Sequence, residues 1–298
     1  MPGERPVRNE VIARALDQAL ASGDRRVVAL LAHAGGASGP RPNVELAAAV
    51  GEELALAGGP GADALLADFL SFGERKAQGR SAEVFLPYVA AFALAARLLR
   101  GRGVEGAWRE LHGLAGDGRA LVREGVATAL TRAVSSRPAL AAEFVGRASG
   151  WTDGFLHAAV ALDLLASKPF LEAPADLEGL RARLDEAIDL AEHAPRSAER
   201  SQGRRRLLAA IEEAFVPLLL RHRTLGAWLT GKLGTQQPEL RAAFEGLVQR
   251  LSRAGAPLDL LEPLRSELDR TAPPRRDPTT FRGPTRGRGR KAQGRSAR

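Results

Sequence analysis

"ALVREGVATALTRAV" fills residues 120–134, and its spacing decides the fold. Val122, Val126, Leu130 and Val134 recur every four residues, with Ala129 and Ala133 beside them. A helix turns once in 3.6 residues, so these side chains form one apolar stripe. "GFLHAAVALDLLAS" at 154–167 repeats the pattern with Leu156, Val160 and Leu164, flanked by Ala161 and Leu165.

Outward from these two stretches, Ala/Leu/Glu/Arg-rich segments recur along the chain, broken by Gly and Pro. The spacing predicts helices over about 9–20, 24–33, 43–57, 61–72, 82–100, 104–115, 119–135, 138–148, 153–167, 176–193, 203–223, 225–233, 238–253 and 257–270. No run alternates β-branched and aromatic residues as a strand would. Asn43 suits a cap, Pro138 a first turn, and Gly101, Gly116 and Gly150 suit helix ends.

Short connections make consecutive helices antiparallel neighbours. Three segments, "VFLPYVAAFAL" (84–94), "LVREGVATALT" (121–131) and "FLHAAVALDLL" (155–165), share one character, and Val89, Val126 and Val160 match at offsets of 37 and 34. "RLLAAIEEAFVP" (206–217) follows after a longer gap. Helix pairs repeating at this interval predict a solenoid. The expected fold is all-α: a right-handed α-solenoid of antiparallel helix pairs over 1–270, with a disordered basic tail at 271–298.

The "LVREGVATAL" segment, entered through a turn with Asp117 and Gly118, resembles the second helix of a HEAT repeat. The helices carrying Pro87 and Pro217 are similar to the proline-bent helices of such repeats. The likeness to HEAT/armadillo proteins covers most of 40–255, and within that class it leans toward the bacterial HEAT-like group related to DNA alkylation-repair glycosylases. That group implies aromatic faces on the concave side and a carboxylate one turn after a tryptophan. Trp108 is followed four later by His112, Trp151 by Phe155 and Trp228 by Lys232, so the pattern is missing. Core packing is the expected role of the tryptophans, although Trp108 and Trp151 are kept as candidate partner-facing residues.

Charge is divided unevenly. The chain carries 43 basic and 35 acidic residues, a net +8. Residues 271–298 hold nine of the basic residues and one acid, leaving 34 of each in 1–270. The body is neutral and the basic excess is all tail. Lysine occurs four times among these 43, so the abundance of arginine reads as coding bias rather than selection for phosphate. The tail, rich in Pro, Gly and Arg, cannot bury enough apolar area to offset chain entropy. Arg282, Arg286, Arg288, Arg290, Lys291 and Arg295 are its candidate nucleic-acid contacts, of RGG-like composition and steep in salt. In the body the one basic patch is Arg204, Arg205 and Arg206 with Arg221 and Arg223 at the far end of the same helix. Glu212 and Glu213 lie between them, so an ion-paired solvated face competes with a phosphate-tracking ridge.

Chemistry is hard to place. There is no cysteine, which removes disulfides and thiol nucleophiles and fits a cytoplasmic protein. The five histidines, His33, His112, His157, His193 and His222, each stand alone, with no HExxH or paired spacing. No metal and no cofactor are expected. "HAGGASGP" (33–40) and "AGGPGADA" (57–64) lack a preceding strand and a GK[ST] ending, so they read as loops. No GxSxG elbow or catalytic triad stands out. No apolar run reaches a membrane span, and the N-terminus has no signal-peptide core. The octapeptide RKAQGRSA occurs at 75–82 and again at 290–297; the first copy is expected on an exposed loop, with Ser81 capping the next helix.

The expected function is a non-enzymatic scaffold or interaction module that binds a protein on the solenoid surface, with weak nucleic-acid binding by the tail and no membrane. The alternative is a DNA-binding protein of the alkylation-repair-like HEAT group.

Overall fold

In the computed structural model of the chain, residues 7, 9–39, 41–79, 81–174 and 176–273 are described. Among them every regular element is helical. The first half contains α1 (Glu10–Ser22), α2 (Arg26–Ala34), α3 (Val44–Ala57), α4 (Gly59–Leu70), α5 (Phe85–Leu99), α6 (Val104–Ala115) and α7 (Ala120–Ser136). After it come α8 (Ala139–Arg147), α9 (Phe155–Leu165), α10 (Lys168–Glu172) and α11 (Leu177–Glu192). The chain then forms α12 (Gln202–Arg221), α13 (Leu225–Thr230), α14 (Pro238–Arg253) and α15 (Leu258–Arg270). Short 3₁₀ segments occupy Ala82–Val84, Ala148–Asp153 and Arg196–Ala198.

All fourteen predicted segments are helical. The short helix α10 was not anticipated, because five residues are too few to show a period. Four helix starts, those of α1, α3, α11 and α12, are closed by a side chain. Asn9 accepts from Val11 and Ile12 N–H, Asn43 from Leu46 N–H, Asp176 from Gly179 N–H and Ser201 from Arg204 N–H.

One row of helices carries the architecture. α3 packs on α5, α5 on α7, α7 on α9, α9 on α12 and α12 on α14. The four similar sequence segments lie on α5, α7, α9 and α12, so they are consecutive members of this row. Val89, Val126 and Val160 are all buried within it. The other helices lean on the row: α4 and α6 on α5, α11 on α9 and α12, and α15 on α14.

Helix α5 sits at the centre of the first half and is buried on every side from Phe85 to Ala95. The stretch Ala82–Leu99 is apolar and long enough to cross a membrane, yet 72% of it is buried inside the protein. All-round apolarity here marks a core helix flanked on several sides. Two glycines let the row close up. A Cβ on Gly51 of α3 would lie 2.7 Å from the backbone of Phe92 and Ala93 in α5. A Cβ on Gly125 of α7 would lie 2.8 Å from the Tyr88 ring.

Two local expectations, at Gly150 and Ser81, fail for visible reasons. Gly150 lies inside the 3₁₀ turn 148–153 rather than past a helix end. Pro87 falls in the first turn of α5, where a missing N–H breaks no helical bond, so it need not bend the helix. Pro217 is internal to α12, as expected. Ser81 precedes the 3₁₀ turn, but its hydroxyl is buried and makes no capping bond. Thr271, placed in the tail by composition, is held by Arg241, which donates to its carbonyl at 3.0 Å and its hydroxyl at 3.1 Å. That contact joins Thr271 to the body.

Candidate functional site

A continuous groove runs across α3, α5 and α7. Its floor is made of small side chains: Ala48 of α3, Ala95 and Ala96 of α5, and Ala129 and Ala133 of α7, with Phe92 between them. It continues along α3 past Leu46 toward Asn9 and Val7. Ala95, Ala129 and Ala133 are buried at the floor, while Ala48 and Ala96 are partly exposed. The walls are charged but paired. Arg132 of α7 meets Glu45 of α3 at 2.7 Å, and Arg100 meets Glu52 at 3.1 Å. The Arg132 hydrogen bond holds the Glu45 carboxyl below the usual carboxylate range. Phe85 stacks on Tyr88, which meets Phe92 at a tilt, and burial pushes the Tyr88 phenol up to about 12.

The predicted arginine ridge does not assemble as one surface. Arg204 is among the most deeply buried side chains, paired with Glu239 of α14. Arg205, its neighbour, is exposed and donates to the Arg200 carbonyl at 2.9 Å. Arg206 pairs with Asp163 of α9. Burial there outweighs the pair and raises the Asp163 carboxyl above its ordinary value, despite Arg206 pulling the other way. Arg123 of α7, also buried, is lowered by the same desolvation and then by the Arg206 charge. Arg221 donates to the Leu171 carbonyl at 3.1 Å, while Arg223 is exposed. Glu212 and Glu213, which separate the two clusters, face Arg250 of α14 at 2.7 and 3.8 Å. Two of the three ridge arginines therefore tie α12 to its neighbours in the row.

The tryptophans are interior too. Trp108 is 5% exposed and Trp151 3%, so neither presents a ring to a partner. Both pack on Phe144, Trp108 tilted at 6.1 Å and Trp151 edge-on at 5.1 Å. Arg147 lies over the Trp108 face, 5.8 Å from its centre. Trp228 is half-buried and donates to Asp185 at 3.0 Å.

The histidines correct the sequence reading. His112 at the end of α6 and His157 in the first turn of α9 stack in parallel, with ring centres 4.2 Å apart. Between their edges stands Asp153, the last residue of the 3₁₀ turn. His112 Nε2 is 3.1 Å from its carboxylate and His157 Nδ1 3.2 Å. Burial, and then the charge of His112, lower His157 from its ordinary value. Asp153 and His157 are four residues apart, on either side of extended Gly154, and that closeness was visible in the sequence. His112 lies 41 residues before Asp153 and gave no such signal.

Arg119 holds the first copy of RKAQGRSA to the body. Arg75, Lys76, Gln78 and Gly79 are exposed, but Ala77 is buried and its carbonyl accepts from Arg119 at 3.0 Å. The second copy, and with it Arg282, Arg286, Arg288, Arg290, Lys291 and Arg295, lies outside the described residues. Compared with known protein families, curated proteins and solved structures, the chain matches none.

Proposed function

We propose that the chain is a non-enzymatic interaction module built as an α-solenoid, and that it binds a segment of another protein in the groove over α3, α5 and α7. The observation that carries this reading is the alanine floor. Ala48, Ala95, Ala96, Ala129 and Ala133 line an open channel whose flanking charges already satisfy one another. Such a floor favours close approach by a partner backbone with a small apolar face. The paired Arg–Glu walls suit polar flanks and disfavour a polyanion, because Glu45 and Glu52 face the same channel. The helix row, in which each member contacts the next, supports a solenoid of the HEAT/armadillo kind. The buried tryptophans and internally paired arginines give a DNA-repair reading little to stand on.

The experiment is affinity capture by the full chain, compared with Ala48→Arg and Ala96→Arg. Both positions are only partly exposed at the groove floor, so an arginine there fills the channel without entering the core. The expected result is a discrete protein retained by the parent and lost from both variants, whose circular dichroism and melting stay unchanged. Equal retention by parent and variants overturns the groove assignment. A duplex shifted by the chain with release of alkylated bases would favour the DNA-acting alternative.

A further inference from the structure

We propose that His112, Asp153 and His157 form a binding site for a divalent transition-metal ion of the zinc class. Three elements converge on it: the end of α6, the 3₁₀ turn 148–153 and the first turn of α9. One ligand atom from each residue lies within 4.8 Å of the other two. Around a tetrahedral zinc ion with bonds near 2.0–2.1 Å, neighbouring donors stand about 3.3 Å apart. The two histidine-to-carboxylate separations, 3.1 and 3.2 Å, already have that length. The two imidazole rings, stacked in parallel 4.2 Å apart, must turn out of that stack so that both nitrogen lone pairs point at the ion.

The site is built rather than incidental. Gly116 and Gly154 make a notch for the His157 ring: a Cβ at Gly116 would fall 2.2 Å from Nε2, and one at Gly154 would fall 2.6 Å from Nδ1. Gly154 has an extended backbone that any residue could adopt, so space rather than conformation calls for glycine there. The His112 ring is held from the other side by the edge of Trp151, 5.8 Å away. His157 Nδ1 is buried and makes no hydrogen bond, although the Asp153 oxygen is near; its geometry is that of an ion contact. A cation between the three residues satisfies that nitrogen and neutralises the carboxylate.

Two imidazoles and one carboxylate suit zinc and its neighbours better than magnesium or calcium, which prefer oxygen donors. Three protein ligands leave a fourth position, and the exposed side of Asp153 opens it to solvent. Bound there, the ion ties the end of α6 to the start of α9.

The test uses tag-free full-length chain, stripped with a chelator and titrated with Zn²⁺ by calorimetry. One equivalent should bind and raise the melting midpoint. Asp153→Asn and His112→Gln should each weaken binding roughly tenfold or more, while His33→Gln leaves it unchanged. Because a ligand variant can disturb packing, the parent protein provides a second readout. Of its five histidines, Zn²⁺ should shift the ring resonances of two. Binding that survives both ligand variants, no saturable binding by the parent, or equal shifts across all five histidines would overturn the site and leave Asp153 as a carboxylate beside two stacked imidazoles.

Discussion

Arg119, at the start of α7, donates a 3.0 Å hydrogen bond to the carbonyl of Ala77 in the loop between α4 and α5. The same nitrogen reaches the Phe72 carbonyl at 2.8 Å, while the rest of the guanidinium forks onto Asp117. The side chain is almost fully buried, so the α4–α5 loop, α7 and a carboxylate all depend on one planar donor set. Arg119→Met leaves Asp117 and two carbonyls without it and should cost about 3–5 kcal/mol, measured by urea denaturation. Arg119→Lys keeps the charge but not the fork, so it should recover only part of that loss. If either variant is as stable as the parent, the loop is held elsewhere.

Gly51→Ala tests how tightly the row is closed. Alanine is the better helix former by about 0.8–1.0 kcal/mol. However, its Cβ would meet the α5 backbone at 2.7 Å, and backbone cannot turn aside as a side chain can. Overpacking of this kind costs about 1–3 kcal/mol, so net destabilisation is expected. A raised melting midpoint would mean that α3 and α5 separate without penalty.

Arg204 and Arg205 are adjacent in sequence and opposite in environment. Arg204→Gln removes a fully buried guanidinium from half-exposed Glu239 and from the Ala191 carbonyl, so a loss of about 1.5–3 kcal/mol is expected. Arg205→Gln should change stability by less than about 0.5 kcal/mol. Chemical denaturation of the two variants side by side decides it. Equal effects would put the two guanidinia in similar surroundings.

The pH response follows from His222, at the end of α12. Burial, and then the neighbouring Arg221 charge, lower its pKa below the ordinary value of 6.5. The folded chain thus refuses a proton that the unfolded chain accepts. The stabilising effect is complete above the unfolded pKa and is lost as pH falls through 6.5 toward the folded value. Between about pH 7.5 and pH 5.5 the parent should therefore lose more stability than His222→Gln. Parallel pH profiles of the urea midpoint would rule this out.

The helices were legible because their signals are local. A four-residue recurrence such as Val122, Val126, Leu130 and Val134 depends on nothing beyond its own turn geometry, and Asn43 caps α3 from its own position. The likeness between the segments on α5, α7, α9 and α12 even indicated which helices would be neighbours. The charge division between a neutral body and a basic tail was equally plain from counting.

Which face each side chain meets was decided only by the tertiary structure. Successive residues on a helix point about 100° apart, so three consecutive arginines can look like one patch and still go to three places. Once α12 is rotated against α9 and α14, Arg204 is buried on Glu239, Arg206 meets Asp163 and Arg205 alone faces solvent. The same holds for the histidines. Asp153 and His157 are close in sequence, but His112 reaches them only because α6 and α9 pack together. Periodicity records what a helix needs locally, whereas a site assembled from distant segments depends on how the helices are turned against one another.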